Sequence, residues 1–442
     1  MVFVETRDPG TTVTRTPELS IVVPTCGRPG ALRRLLRALS QQHGSHAFEV
    51  VVVADGVRAA STGVGDTRAW PFAVRVEEQP RTGAATARNR GALLARAPVL
   101  LFLDDDVEPS AAVVSAHFDF HGRGEARIGI GELAPHATAR GYVGSALCGW
   151  WELMNDGLAD ARHRFTFRDL LTGHCSMQKA TFEALGGFDP SLRCQEDFDF
   201  GYRAIEGGID LRFVREARAI HHDESNLDKI LTRKFDEGIA NVQLCEKHPR
   251  LLRALPLGRT LADARFAQAV QRSALRAPSL NWWIPAVLRS AMAAFEALSM
   301  RDKWRESLER LMDYWYWRGV AHAAGGAAAV ARIRDSQDPH PEPPLEVELI
   351  RGLASAERQI QDARPRSLRI VLGGELVGEL PDVPGAERLR GLNLRPLLLK
   401  GMPDDFIAAA HAAGLLPEAF ASCVKEDASA GARPRAGAHQ AA

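Results

Sequence analysis

The chain carries no net charge: 55 Lys and Arg residues balance 55 Asp and Glu. With no global positive field, a nucleic-acid partner is not expected. Its six cysteines, Cys26, Cys148, Cys175, Cys194, Cys245 and Cys423, show no C-x-x-C spacing. That argues against a zinc site and a disulfide framework, and suits a reducing, cytoplasmic setting. No run reaches the ~18 uncharged apolar residues of a membrane-spanning helix. The nearest, Ser279–Met300, is interrupted by Arg289 and Glu296. The opening MVFVETRDPGTTVTRTPE lacks the apolar core of a signal peptide, and residues 1–17 read as a flexible tail. Glycine-rich phosphate loops are missing too. No G-x-G-x-x-G follows the first strand, and no G-x-x-x-x-G-K precedes Ser or Thr. Both the dinucleotide fold and the P-loop are therefore disfavoured.

What is present is an alternation of buried strands and helices. LSIVVPT (Leu19–Thr25), FEVVVVADG (Phe48–Gly56) and VLLFLDDD (Val99–Asp106) are continuous β-rich runs. Between them lie GRPGALRRLLRALSQQ, with Leu32, Leu35, Leu36 and Leu39 at helical spacing, and TGAATARNRGALLARA. This βαβαβ pattern indicates a doubly wound α/β sheet, which binds ligands at the carboxyl ends of its strands. Thr25, Asp55 and the triplet Asp104, Asp105, Asp106 all fall on that edge. Three adjacent carboxylates make either a solvated strand end or a site for a hard cation such as Mg²⁺ or Mn²⁺, which bridges oxygen ligands to phosphate. Further on, EDFDFGYRAIEGG starts a helix with Glu196 and Asp197 in its first turn, where acids also serve as dipole complements. DLRFVREARAIHH then ends in His221 and His222, either of which can complete a metal shell.

The segment from about Ser20 to Ser225 resembles an inverting glycosyltransferase of family two with a GT-A fold. The stretches that carry the likeness are SIVVPTCGRPGALRRLLRAL, EVVVVADG, GAATARNRGALLA, LLFLDDD and GHCSMQKATFEALGGFDPSLRCQEDFDFGYRA. The resemblance implies that Asp55 contacts the nucleoside. Asp104 and Asp105 would face the donor diphosphate, and Asp104 and Asp106 would form a D-x-D pair on a divalent cation. His221, with His222 as its neighbour, would add a metal ligand. Thr25 and Arg81 would line the nucleotide pocket, and Arg88 and Asn89 would be structural or face the donor. The E-D pair would supply the catalytic base, Asp197, with Glu196 as its rival. The chain departs from the family after Pro24-Thr25, where it has Cys26-Gly27-Arg28. The implied chemistry is one displacement at an anomeric carbon. A carboxylate takes the acceptor proton, and a cation neutralises the leaving group.

Other features carry two readings each. Trp150 and Trp151 stack on an acceptor sugar or pack the sheet. Gly173 and His174 belong to the acceptor side, with His174 as an acceptor or phosphate contact. Cys175 and Cys194 are small core residues rather than nucleophiles. The expected organisation is a GT-A domain over 18–227, mostly parallel in its sheet, and a helical region over 228–334. A Pro-rich linker follows at 335–346, then a small α+β module at 347–424 and a disordered tail at 425–442. In YWYWRG, residues Tyr314 to Trp317 cannot all face one side of a helix, so some are expected to be exposed or to meet another subunit, which makes a homodimer a candidate. SLRIVLGGELVGELPDVPG reads as a hairpin at Gly373-Gly374. The expected partners are a nucleotide-diphosphate sugar, with UDP as the prior, and a sugar, small-molecule or lipid-linked acceptor. The expected location is cytoplasmic, with peripheral contact at the inner membrane face through the Trp282-Trp283 helix the less favoured addition. A sugar nucleotidyltransferase and a catalytically idle nucleotide-sugar-binding scaffold are the alternatives.

Overall fold

A computed structural model describes residues 16–122, 126–160, 163–258, 283–335 and 342–401, with isolated helical positions between 259 and 282. The chain divides into two compact units. The first comprises Met1–Asp160, Phe165–Lys247 and Thr260–Asp335. The second comprises Ala161–Arg164, His248–Arg259 and Ser336–Ala442. The expected tail at 1–17 is outside the described residues apart from its last two. Trp282, positions 336–341 of the linker and all residues after 401 also lie outside them.

The first unit is built on an eight-stranded mixed sheet of order β3-β2-β1-β4-β7-β6-β8-β5. Its strands are β1 (Leu19–Thr25), β2 (Phe48–Asp55), β3 (Ala73–Gln79), β4 (Val99–Leu103), β5 (Val107–Pro109), β6 (Arg127–Pro135), β7 (His174–Gln178) and β8 (Asp210–His221). β1, β2 and β4 are almost wholly buried, as their unbroken apolar runs require. Leu19 pairs in parallel with Phe48 on one side and Val99 on the other, so the three carboxyl ends arrive together. β4 and β7 then pair antiparallel, which reverses the sheet beyond the Asp triplet.

The helices follow in chain order: α1 (Pro29–Leu39), α2 (Ala84–Leu94), α3 (Val113–His121), α4 (Gly141–Ala159), α5 (Lys179–Ala184), α6 (Glu196–Glu206) and α7 (Leu227–Lys247). Pro29 opens α1, where its missing N–H and fixed φ fit the first turn. α1 buries Leu32, Leu35, Leu36 and Leu39 on the sheet, as their spacing predicts. α2 lies close on β1: a Cβ at Gly91 would sit 2.3 Å from a Val22 methyl. Its buried face of Ala85, Arg88 and Ala92 carries one guanidinium toward the strand ends.

Of the region expected to be helical, the parts up to Lys247 and from Thr260 belong to this same unit, while His248–Arg259 falls to the second. α8 (Trp283–Ala297) buries Leu288 and Met292 against Trp304, Leu308 and Leu311 of α9 (Arg301–Ala324). No helix among the described residues is long and apolar enough to cross a membrane. The aromatic run departs from expectation. Tyr314, Tyr316 and Trp317 are all buried, and Trp315 is half-buried against the α8–α9 cluster. The reason is that α9 is covered on several sides, by α7, by α8 and by α10 (Ala327–Asp335).

The second unit holds a small sheet of order β11-β10-β9 and two α-helices among the described residues, α11 (Leu353–Ala363) and α12 (Leu394–Gly401). β10 (Leu368–Leu372) and β11 (Glu375–Leu380) form the hairpin expected at Gly373-Gly374, both glycines having positive φ. β9 (Leu345–Glu348) adds in parallel to β10 and begins inside the stretch read as linker.

Candidate active site

Asp55 ends β2 and anchors the loop that follows β3. Its Oδ1 accepts from the Thr82 amide at 2.8 Å and from Gln79 Nε2 at 2.9 Å, and its Oδ2 accepts from the Gly83 amide at 3.0 Å. Burial raises its pKa, but these donors outweigh burial and hold it below the usual carboxylate range. Arg81 is exposed on the same loop, its Cβ against Gly56.

The Asp triplet divides its labour. Asp105 is buried. Thr25 Oγ1 donates to it at 2.6 Å, and Arg28 forks between Asp105 and Asp106. Burial pushes the Asp105 carboxyl up to about 6 against the pull of Arg28 and Thr25, with Asp106 and Asp104 adding to the rise. Asp106 faces His221, whose Nε2 lies 3.7 Å from Asp106 Oδ1. Burial opposes ionisation of Asp106, yet His221 and Arg28 bring it below the ordinary range. The imidazole responds in the opposite sense, with burial lowering its pKa and Asp106 raising it further. Trp151 packs edge-on against the His221 ring at 4.8 Å.

Asp104 turns the other way. Its Oδ1 accepts from Arg88 Nη2 at 2.6 Å, while Arg88 Nη1 donates to Glu196 Oε1 at 2.7 Å. One buried guanidinium therefore joins the triplet to the E-D pair. Glu196 is committed to Arg88. Asp197, half-buried beside it, accepts only a 2.9 Å bond from the Phe198 amide among the recorded hydrogen bonds. Burial, and then the Glu196 charge, push the Asp197 carboxyl up to about 7, opposed by Arg233, Arg88 and that amide.

Several expected residues stand elsewhere. His174 is fully buried: its Nδ1 sits on the Glu132 carbonyl at 3.1 Å and its Nε2 meets His117 at 3.1 Å. It belongs to a core polar cluster with His117, His121 and Ser176, so it cannot touch an acceptor from where it lies. His222 turns to Glu108 at 2.6 Å, away from Asp106, because adjacent strand residues point to opposite faces. Asn89 is structural: it donates to the Phe188 carbonyl at 2.7 Å and accepts from the Phe188 amide at 2.9 Å. Gly173 backs the triplet, since a Cβ there would sit 3.0 Å from Asp104 Oδ2. Trp150 is 39% exposed and Trp151 is buried. Cys175 is buried, and burial raises its thiol pKa, which suits an inert core residue. Arg28 has two signals in the sequence: it follows a strand directly on the ligand-binding edge, and it falls where the chain departs from the family pattern.

The donor set at Asp106 and His221 fits a hard cation. Asp106 Oδ1 is buried without a hydrogen-bond partner, 3.7 Å from His221 Nε2, and oxygen and imidazole ligands suit Mn²⁺ or Mg²⁺. Among the described residues no group of three or more His, Cys, Asp or Glu side chains is arranged around one point. Asp104, expected as a ligand, is held by Arg88 instead.

Residues 20–185 match the family model described as Glycosyl transferase family 2. A validoxylamine A glucosyltransferase from Streptomyces hygroscopicus subsp. jinggangensis is 29% identical over 282 residues, 55% of this chain and 64% of that protein. A pre-mycofactocin glycosyltransferase from Mycobacterium tuberculosis is 24% identical over 242 residues, 52% of this chain and 48% of that protein. The chain thus spans less than two thirds of the length of these relatives. Among solved structures, Staphylococcus aureus TarS 1–349 with UDP-GlcNAc superposes with a TM-score of 0.44 at 15% identity, covering 66% of this chain and 90% of that one. The matched span holds Thr25, Asp55, Arg88 and the Asp triplet, and ends before Glu196, Asp197 and His221. Residues 20–185 thus resemble Glycosyl transferase family 2, and the relatives matched over about half of this chain are glycosyltransferases.

Proposed function

We propose that the protein is an inverting, metal-dependent glycosyltransferase that moves a sugar from a nucleoside diphosphate onto an acceptor hydroxyl. The observation that carries this reading is the double salt bridge of Arg88. It sets a donor-side carboxylate and an acceptor-side pair on opposite arms of one buried guanidinium, and it leaves Asp197 as the carboxylate not paired with it. An inverting transfer needs that separation. The acceptor oxygen forms its bond to the anomeric carbon as the carbon–phosphate-oxygen bond breaks on the opposite face. The acceptor proton passes to Asp197, and the nucleoside diphosphate leaves with the electron pair.

Asp55 and the Thr82–Gly83 loop, with Arg81 exposed on it, bound the nucleoside side of this pocket. Asp106 and His221 would hold the cation, with Asp104 joining them once released from Arg88. Bound there, the cation supplies positive charge to the departing diphosphate. Trp150, exposed beside the Trp151–His221 stack, offers an aromatic face to an acceptor sugar. Calorimetry with a panel of nucleoside diphosphates, with and without Mn²⁺, tests the donor reading. Binding of one diphosphate that is lost on chelation is expected, and equal affinity in EDTA overturns metal dependence. Product analysis separates the alternatives: transfer releases nucleoside diphosphate, nucleotidyl transfer releases pyrophosphate, and a scaffold releases neither.

A further inference from the structure

The residue before the Glu196–Asp197 pair is strained. Gln195 caps α6 with φ 60° and ψ 26°, a left-handed conformation that a non-glycine residue adopts at a cost. A helix cap is normally Ser, Thr, Asp or Asn in an extended conformation, with its side chain bonded back to the first turn. Gln195 makes no such bond. Its Oε1 instead accepts from Asn241 Nδ2 at 2.5 Å, and Asn241 Oδ1 accepts from the Tyr316 hydroxyl at 2.9 Å. Asn241, on α7, is 1% exposed, and Tyr316, on α9, is 6% exposed. The Asn241–Tyr316 part of this polar chain is thus buried, where an unpaired amide or hydroxyl costs ~1–3 kcal/mol.

The two helices are fixed in register where it matters. A Cβ on Gly238 of α7 would lie 2.1 Å from the Tyr316 carbonyl, and one on Gly319 of α9 would lie 1.9 Å from the Phe235 carbonyl. Backbone therefore meets backbone at this crossing. That close approach sets the Tyr316 hydroxyl over Asn241, less than one turn from Gly238.

We infer that Tyr316 and Asn241 are positioning residues, which hold Gln195 in its left-handed turn and so set the direction and enclosure of Asp197. This rests on the reading of Asp197 as the base. It gives the helices beyond the family-matched span a part in the reaction: they brace the turn that aims the proton acceptor. The charged groups acting on Asp197 come from its own turn (Glu196), from α2 (Arg88) and from α7 (Arg233). A slackened Gln195 turn opens Asp197 to water and lowers its pKa from near 7 toward the ordinary carboxylate range.

The test is Tyr316→Phe, which removes one oxygen from a buried site, with Asn241→Leu beside it and thermal denaturation as the check that each folds. Expected for Tyr316→Phe is a fall of about 10- to 100-fold in kcat, the scale of a small misplacement of a reacting group. Donor KM should be unchanged, and the acidic limb of the pH–rate profile should move to lower pH. In a Gln195→Gly background, where the left-handed turn needs no brace, Tyr316→Phe should have no further effect on kcat. A folded Tyr316→Phe enzyme with an unmoved limb, or one that costs as much in the Gln195→Gly background as alone, overturns the inference. If Asp197→Asn itself turns over normally, it is the base assignment that has failed instead.

Discussion

Replacing Asp197 by Asn keeps shape and removes only the ability to take a proton. Loss of a general base costs ~10²–10⁴ in rate, so turnover should fall by that order while donor affinity stays near wild type. The surroundings of Asp197 add a second signature. Its titration is displaced upward from 3.8 to about 7, first by burial and then by Glu196. Between those two values the folded protein holds a proton that the unfolded chain has released, so stability falls as pH rises toward 7. The favourable contribution is fully present below 3.8 and is gone above about 7. The ceiling on that change is about 4 kcal/mol, since each pH unit of displacement is worth about 1.4 kcal/mol. Asp197 keeps a solvent-facing side and the nearby Arg233, so less than half of the ceiling is expected, a few °C for a unit of this size. Asp197→Asn should therefore melt a few °C higher than wild type at pH 8, with a clearly smaller offset at pH 4.5, where only the first part of that contribution has been lost. Wild-type kcat/KM should fall tenfold per unit as pH drops below about 6. Near-normal turnover of Asp197→Asn refutes the base assignment. Lost turnover with an equal melting offset at pH 4.5 and pH 8 refutes the account of its environment.

Arg88→Met should be damaging at both ends of the site. It strands two carboxylates, and removing one partner of a buried pair costs ~3–5 kcal/mol; a thermal melt unchanged from wild type refutes the bridge. Arg28→Gln should act in the opposite sense on the cation. With its counter-charge removed, the Asp106–His221 site should bind Mn²⁺ about tenfold more tightly by calorimetry without donor, the scale of one neighbouring charge; unchanged or weaker Mn²⁺ binding refutes a competing role for Arg28.

The central sheet was legible because its strands are buried on both faces. Leu19–Thr25, Phe48–Asp55 and Val99–Leu103 are unbroken apolar runs, and their acidic ends mark the ligand edge without any tertiary information. β3 was not legible. AVRVEEQ is an edge strand, half-exposed, with charges that a buried strand would not tolerate. The roles within the acidic clusters were legible only as sets. Nothing in the triplet says that Asp104 turns to Arg88 while Asp105 and Asp106 turn to Arg28, because that choice is made by cations 16 and 77–78 residues away in the chain. His174 misled because its neighbour Gly173 does abut Asp104. The strand alternation that brings one to the site carries the other into the core. Gln195 gave no signal at all. Its left-handed turn depends on Asn241 and Tyr316, whose contact exists only after α7 and α9 have packed.

The balance of charge at this edge bears on why a cation would be needed. Among the described residues, Asp105 and Asp106 share Arg28, Asp104 and Glu196 share Arg88, Asp106 also faces His221, and Asp197 has Arg233 near it without a salt bridge. Both guanidiniums are already spent on carboxylates. A diphosphate entering this site meets several carboxylates, and Asp105 and Asp197 have raised pKa values, chiefly through burial with neighbouring carboxylates adding to the rise. Electrostatic cost in a partly desolvated site grows steeply as water is excluded. Binding a doubly charged anion there requires either that Arg28 and Arg88 abandon their carboxylates or that positive charge be brought in. The first route leaves buried carboxylates unpaired, which costs several kcal/mol for each. The second satisfies the orphaned oxygen of Asp106, gives His221 a reason to face it, and leaves Arg88 free to go on holding Glu196 beside the base. The arrangement of these side chains therefore favours a donor that arrives with its cation.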